Sequence, residues 1–321
     1  MTVMNMVQAI NSALMQEMEA DGTVVVLGED VGIDGGVFRV TDGLLKKFPN
    51  RVIDTPLAEL AIAGTSVGMA VYGLKPVAEI QFDGFSPPIL DQIICHAGRI
   101  RWRTSGRYHA PLVIRIPYGG GIKALEHHSD SPEAYFVHTP GIKVVVPSTP
   151  YEAKGLLASS IRDPDPVIFL EPKRIYRAIK EDVPDEPYTL PLGEAKIVRE
   201  GEDVTLISYG AMTRTCKQVM EKSRHSIEII DVRTLSPLDT KTIIESVKKT
   251  GRAVIVHEAP RSCGFGAEIA AVISDKDLLH LKAPVTRVTG FDTVMPLPKL
   301  EEYYIPSAER IEAGIEKVME F

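Results

Sequence analysis

Residues 143–170 read KVVVPSTPYEAKGLLASSIRDPDPVIFL, and this stretch holds one complete unit of an α/β fold. Lys143 to Val146 is a short apolar run with the length of a strand. Ser148-Thr149-Pro150 follows, a cap residue and then a proline at an early helical position, where its missing N–H costs nothing. Tyr151 to Ile161 is the helix they open, and Val167 to Leu170 is the next strand. Strand, helix and strand in this order predict a parallel sheet with helices on both faces.

The same alternation extends outward. Toward the N-terminus, residues 3–20 predict a helix, with Val7, Ile10, Leu14 and Met18 at helical spacing. Val24 to Leu27 is a buried strand closed by Gly28, and Pro76 to Phe82 and Leu112 to Ile116 are further strands. The texture changes at residues 181–191, EDVPDEPYTLP, where three prolines and four acids carry no period; this reads as an interdomain linker. Beyond it come strands at Val204–Ser208, Ile227–Val232 and Ala253–Val256, with helices at Met212–Glu221, Thr240–Lys249 and Ala267–Ile273. Two parallel-sheet α/β domains are therefore expected, over residues 1–185 and 186–321.

Composition limits what they can do. Of 321 residues, 25% are charged and 44% hydrophobic, which excludes a disordered chain, a collagen and a coiled-coil rod. A net charge of −7 offers nothing to neutralise a nucleic-acid backbone. The longest mostly apolar stretch, Ala61 to Leu74, is too short for a membrane span and is broken by Gly64, Gly68 and Gly73. Met1 to Ala20 has no basic leader and carries Glu17 and Glu19. Cys95, Cys216 and Cys263 have no metal-ligand spacing. A cytoplasmic protein with small-molecule or protein partners is expected.

Three local patterns invite functional readings. Gly64-Thr65-Ser66-Val67-Gly68 matches the nucleophile elbow of serine hydrolases, but the residues before Ser66 read as helix, whereas the elbow needs a strand. Ala61, Gly64, Gly68 and Ala70 instead suggest a helix packed closely against another backbone. Gly264-Phe265-Gly266 lacks the third glycine of a dinucleotide fingerprint, Ile269 standing there, and reads as a structural turn. Tyr118-Gly119-Gly120-Gly121 ends a strand, where glycines let the backbone approach a ligand or another chain. His127 and His128 are adjacent and point to different faces, so a shared metal is not expected.

A polar constellation remains. Asp54-Thr55-Pro56-Leu57-Ala58-Glu59 crosses from loop to helix, and a first-turn glutamate can be no more than a helix-dipole partner. Yet Gly28-Glu29-Asp30-Val31-Gly32 and His128-Ser129-Asp130-Ser131-Pro132-Glu133 follow expected strands and Glu79-Ile80-Gln81-Phe82-Asp83-Gly84-Phe85 ends another, at the carboxyl ends where α/β folds place ligands.

With these strings in place, essentially the whole chain, from about Val7 to Phe321, resembles the beta subunit of the thiamine-diphosphate-dependent decarboxylating component of 2-oxoacid dehydrogenase complexes. GEDVG, DTPLAE, EIQF, RYHAPLVIR, HSDS, GIKVVVPSTPYEAKGLL, DVRTLSPLD and TGRAVIVHEA occur in the order of that family. The resemblance implies a thiamine-diphosphate pyrimidine-binding fold followed by a transketolase C-terminal-like domain. It implies that Glu59 bonds the ring nitrogen N1′ of the cofactor and so activates the proton on carbon 2; for this role the carboxyl is expected to be buried, with a raised pKa. Phe85 would lie against the aminopyrimidine, Gln81 and the backbone near Leu57 would line the same pocket, and Glu29 would support Glu59. His128 would face the substrate and the incoming lipoyl group.

The resemblance also implies partners. There is no GDG motif, and the only asparagines, Asn5, Asn11 and Asn50, are unpaired, so magnesium and the cofactor diphosphate fall to an alpha subunit in an alpha2beta2 heterotetramer. A single-chain transketolase-type enzyme would need that missing motif. Family members often bind potassium, mostly through backbone carbonyls, here at Leu112, Ser160, Ile161, Asp163 and Asp165, although Asp163-Pro164-Asp165-Pro166 also reads as a plain turn. The second domain would support dimerisation and dock the lipoylated acyltransferase core, close to Phe321. EPKRIYRA, SPEAYF and HEAPRSCGFGAEI favour branched-chain 2-oxoacids, while RTSGRYH looks closer to pyruvate members; pyruvate and acetoin are the alternatives. A serine hydrolase using Ser66 is the remote one, and a binding module would have no need of Glu59.

Overall fold

The computed structural model describes all 321 residues. The chain opens with β1 (Thr2–Asn5), α1 (Met6–Ala20), β2 (Val24–Gly28), the single turn α2 (Leu44–Lys47), β3 (Val52–Asp54), α3 (Glu59–Tyr72) and β4 (Lys75–Glu79). It continues through α4 (Ile100–Arg103), β5 (Val113–Tyr118), α5 (Glu133–Val137), β6 (Lys143–Val145), α6 (Pro150–Arg162), β7 (Val167–Pro172) and β8 (Lys180–Val183). The second half contains β9 (Lys196–Arg199), β10 (Val204–Ser208), α7 (Ala211–Met220), β11 (Ile227–Asp231), β12 (Thr234–Ser236) and α8 (Thr240–Thr250). It ends with β13 (Ala253–Val256), α9 (Phe265–Asp277), β14 (Thr286–Val288), α10 (Glu301–Tyr304) and α11 (Ala308–Met319).

Two main sheets result, ordered β12-β6-β7-β5-β4-β2-β3 and β14-β13-β10-β11-β9. Within them the strands run parallel, except that β12 is antiparallel to β6 and β9 to β11. Strand periodicity sorts the first sheet's residues. Val24, Val26, Val77, Val113, Val167 and Phe169 belong to one core layer with Ile10 and Leu14 of α1 and Leu156, Leu157 and Ile161 of α6. Leu27, Ala78, Ile114, Ile116, Ile168 and Leu170 belong to the other, with Ile62, Ala63 and Val67 of α3. Each fully buried aliphatic side chain contributes roughly 1.5–3 kcal/mol, so the two layers are the main source of this sheet's stability.

The unit at 143–170 forms as read, with Thr149 accepting from Glu152 N and Pro150 opening α6. Elsewhere the boundaries move. The first helix starts at Met6 rather than residue 3, because Asn5 and Gln8 form a reciprocal capping box. The residues ahead of it are free to form β1, which pairs antiparallel with β8, Asn5 opposite Lys180. Part of the expected linker is therefore a strand. The strand expected over 76–82 ends at Glu79, and the chain turns through Asp83–Phe85 instead. β12 lies beyond residue 185 yet pairs back to the first sheet, Thr234 opposite Val145. The division into 1–185 and 186–321 is kept as a proposal, with β12 as a segment of the second unit built into the first.

His257, just after β13, is fully buried and accepts Gly266 N–H at its Nε2 (3.3 Å). Burial, and then the charges of Arg287 and Arg261, push its pKa down to about 4. The folded protein thus holds a neutral imidazole that would take up a proton near pH 6.5 once unfolded. Its contribution is complete above pH 6.5 and is lost as pH falls toward 4. Between pH 7.5 and 5 the loss is expected to be about 2 kcal/mol. Urea midpoints of the parent and of His257→Gln at the two pH values check this; an equal acid loss in both would rule it out.

Candidate active site

The carboxyl ends of β2 and β4 and the start of α3 bring the expected polar residues together. Glu29 follows β2 and is only 5% exposed. Its Oε1 is buried with no partner. Burial first, and then the charge of Glu59, hold its carboxyl above the ordinary value. Gln81 donates from Nε2 to Asp30 Oδ2 (3.2 Å) and to the Glu29 carbonyl (3.4 Å).

Glu59 is the first residue of α3, and Ala58 provides no side-chain cap. Within this chain Glu59 is half-buried, and Glu29 is the enclosed member of the pair. The reason is local. α3 begins at the surface of the chain, where Leu57 is 81% exposed and Leu60 also points outward. Leu57 thus lines no pocket formed by this chain alone.

Phe82, Phe85 and His128 form an aromatic cluster. The imidazole of His128 lies edge-on, 4.5 Å from the Phe82 ring and 5.1 Å from that of Phe85. Its Nδ1 is 2.9 Å from the Glu126 carbonyl. That bond assigns the proton to Nδ1 in the neutral ring and leaves Nε2 as the free nitrogen. His127 adopts a left-handed φ of 68°, and its Nδ1 lies 3.6 Å from Asp130. Its ring also lies 6.0 Å from that of Phe85, so the two histidines share this neighbour instead of pointing to separate faces. Gln81 and Phe82, neighbours in the chain, join the carboxylate pair to the aromatic cluster.

Two supporting groups escaped the sequence reading. Asp83 and Lys173 form a fully buried ion pair at 2.6 Å, with the ammonium 5.4 Å from the centre of the Phe82 ring. Burial raises Asp83 to about 6 despite that partner. Behind β4, Arg115 is fully buried and binds Glu79 through Nη1 (2.7 Å) and Glu171 through Nε and Nη2 (2.6 and 2.9 Å). Neighbouring parallel strands place these three side chains together, a pairing that no local pattern signals.

Ser66 lies inside α3, is buried, and donates to the Ile62 carbonyl at 2.8 Å. No elbow exists, so the serine hydrolase reading is overturned. Gly264 caps α9, and a Cβ on Gly264 or Gly266 would meet the His257 ring at 2.9 or 2.6 Å. The GFG string thus serves packing around that histidine. At the turn considered for potassium, Asp163 Oδ1 already accepts from Lys143 Nζ (2.8 Å) and Asp165 Oδ1 from Arg101 Nε (2.6 Å). The Leu112 carbonyl accepts from Val167 N, and the Ser160 carbonyl from Asp163 N. The two side-chain carboxylates are thus paired already, and the main-chain carbonyls, including that of Ile161, are the oxygens that would hold a cation.

Comparison with known proteins bears on this site. Residues 2–179 match the transketolase pyrimidine-binding domain, and residues 193–311 match the transketolase C-terminal domain. The chain is 52% identical to the pyruvate dehydrogenase E1 component subunit beta of Acholeplasma laidlawii, over 99% of this chain and 98% of that protein. It is 48% identical, over the full length of both, to the protein of the same name from Bacillus subtilis (strain 168). Among solved structures it is similar to a chain described as a split gene transketolase, inactive beta4 tetramer, with a TM-score of 0.80 and 21% identity over 99% of this chain and 98% of that one. At that identity the likeness concerns the fold.

Proposed function

Because the chain belongs to the family of beta subunits of the first component of 2-oxoacid dehydrogenases, we propose that it is half of a thiamine-diphosphate-dependent site that decarboxylates pyruvate. The acyl group then passes to a lipoyl arm. The observation that carries the reading is the pairing of Glu29, buried with an unpartnered Oε1, with Glu59 at the chain's surface. An orphaned buried carboxylate oxygen next to a second carboxyl, at strand carboxyl ends, suits a polar group brought in from outside.

The chemistry supplied by bound thiamine diphosphate is attack on the 2-oxo carbon and storage of the charge left when carbon dioxide departs. This chain's residues would do the rest. Glu59 holds a proton toward ring nitrogen N1′. Glu29, held above its ordinary pKa by burial and by the charge of Glu59, would support it from the enclosed side. Phe82 and Phe85 offer apolar ring faces, and Gln81 orients the loop of Glu29 and Asp30. His128 presents Nε2 as the proton donor or acceptor during acyl transfer.

Pyruvate replaces the branched-chain acids as the leading substrate, supported by the names of relatives about half identical over the full length. An alpha subunit in an alpha2beta2 assembly is supported by α3 itself. Ala61, Thr65 and Gly68 are exposed along it, and Leu57, Leu60, Val71 and Tyr72 add apolar surface, Tyr72 being 90% exposed. No part of this chain covers that small-residue face, and it suits a close second backbone. Magnesium and the diphosphate would be held by that subunit, and the acyltransferase core would dock near Phe321. No helix is long and apolar enough to cross a membrane; a cytoplasmic site of action is supported by three unbridged cysteines. Potassium, if it binds, does so through main-chain oxygens, and equal melting temperatures in potassium and tetramethylammonium chloride would remove it.

The test is reconstitution with the alpha chain, thiamine diphosphate and magnesium, followed by dye reduction with pyruvate, 3-methyl-2-oxobutanoate and acetoin. Pyruvate-driven turnover well above the others is expected; a branched-chain preference would overturn the substrate. His128→Ala is expected to slow acylation of a lipoyl domain by about a hundredfold or more, with cofactor affinity little changed. Unaltered acylation would count against its role.

A further inference from the structure

The segment that carries the two histidines is held at its start by carboxylates. Gly119 N–H donates to Asp83 Oδ2 (2.9 Å) and Gly120 N–H to Glu258 Oε2 (3.0 Å). Glu301 then takes two amides at once, Gly121 N–H on Oε1 (2.6 Å) and Lys123 N–H on Oε2 (2.9 Å). Asp83, Glu258 and Glu301 are all buried, and the last two come from the second half of the chain. The triple glycine gains a physical reason. A Cβ on Gly120 would meet Met295 Cε at 2.6 Å, Ile305 Cδ1 at 2.9 Å and Glu301 Oε1 at 3.1 Å. The glycines let the second domain close over the end of β5 and reach the main chain with its acids.

After Lys123 this support stops. Leu125, Glu126 and His127 are exposed, and the next bond within the segment is that between His128 and the Glu126 carbonyl. Glu301 is therefore the last side-chain anchor ahead of the histidines; beyond them, the Asp130 carbonyl shares the Gly119 N–H with Asp83 (2.9 Å). Charge-assisted bonds to two amides fix both the position and the direction of the chain leaving them.

We propose that Glu301 is a positioning residue: from the second domain it aims the 121–128 segment so that His128 packs between Phe82 and Phe85. The inference rests on the proposed role of His128 in acyl transfer. It separates the two partial reactions, because the Glu29–Glu59 pair lies on other elements and does not depend on this anchor.

The experiment uses the full-length chain, reconstituted with its alpha subunit, as parent, Glu301→Ala and Glu301→Gln. Hydrogen exchange should show the Gly121 and Lys123 amides exchanging at least about tenfold faster in Glu301→Ala. Acyl transfer to a lipoyl domain should fall by about tenfold, while decarboxylation read with an artificial electron acceptor stays within about threefold. Glu301→Gln keeps one acceptor oxygen and should recover part of both losses; if the alanine variant does not fold, this variant carries the test. Unchanged exchange overturns the anchor. Faster exchange with both reactions unaffected, or both reduced equally, overturns the positioning role. A parent enzyme that turns over no 2-oxoacid removes the proposed function, and with it the positioning role; the exchange result then speaks for the anchor alone.

Discussion

Glu59→Gln is expected to fold as the parent does and to lose turnover by at least about a thousandfold. The two halves of this expectation have different origins. Glu59 is half-buried at the first position of α3 and makes no capping bond within its helix. Its carboxylate offers the fold little beyond a favourable helix-dipole interaction of roughly 0.3–1 kcal/mol. Glutamine matches its shape, so the melting temperature should move by only a few degrees. Its amide cannot exchange a proton, and loss of a general acid–base group costs about 10²–10⁴-fold. It also removes the negative charge that helps raise Glu29. Dye reduction by the reconstituted enzyme, together with a thermal melt, measures both. Turnover within threefold of the parent would end the proposed role of Glu59.

Arg115→Met carries the largest expected effect on stability. The guanidinium is fully buried and divides its N–H groups between Glu79 and Glu171. Tyr176 adds its hydroxyl to Glu171 Oε2 at 2.5 Å. Removing the cation leaves two carboxylates enclosed in the sheet with no counter-charge, and breaking such a pair costs about 3–5 kcal/mol. Whole domains are stable by about 5–15 kcal/mol, so the single variant is expected to express poorly or melt far below the parent. The triple variant Arg115→Met, Glu79→Gln, Glu171→Gln removes the charges together and should regain most of that loss. Urea unfolding compares the three proteins. A single variant within about 1 kcal/mol of the parent would show that the cluster contributes no more than an exposed ion pair.

Local sequence was a good guide wherever local chemistry decides the structure. Ser148-Thr149-Pro150 announces α6 because a cap and a proline act within one turn of themselves. Gly28 and the residues after it could be placed at a strand end because the apolar run stops there, whereas the end of β4 at Glu79 came three residues before the expected one. The pairing of β1 with β8, and of β12 with β6, had no such mark: strands of three or four residues are too short for a period, and their partners lie far away in the chain. The enclosure of Glu29 rather than Glu59 within this chain had no such mark either. The family resemblance assigns the role of Glu59, but which of two neighbouring carboxyls is enclosed depends on where α3 meets the surface. Asp83 and Lys173 are 90 residues apart, and only the closed sheet makes them a pair. The triple glycine was legible as a place of close approach, though what approaches it became visible only in three dimensions. Short strings favoured branched-chain acids, whereas full-length relatives carry the pyruvate name; strings of six to thirteen residues are a weaker guide to substrate than the whole chain.

The return of β12 to the first sheet sets a limit on how this protein can be cut or recombined. A fragment ending near residue 185 would lack Thr234–Ser236 and leave β6 as the outermost strand, its main-chain donors and acceptors open along one side. Such an edge recruits other chains. Chimaeras made by exchanging halves between relatives must therefore keep residues 234–236 matched to β6, or the junction will fail by aggregation rather than by loss of chemistry.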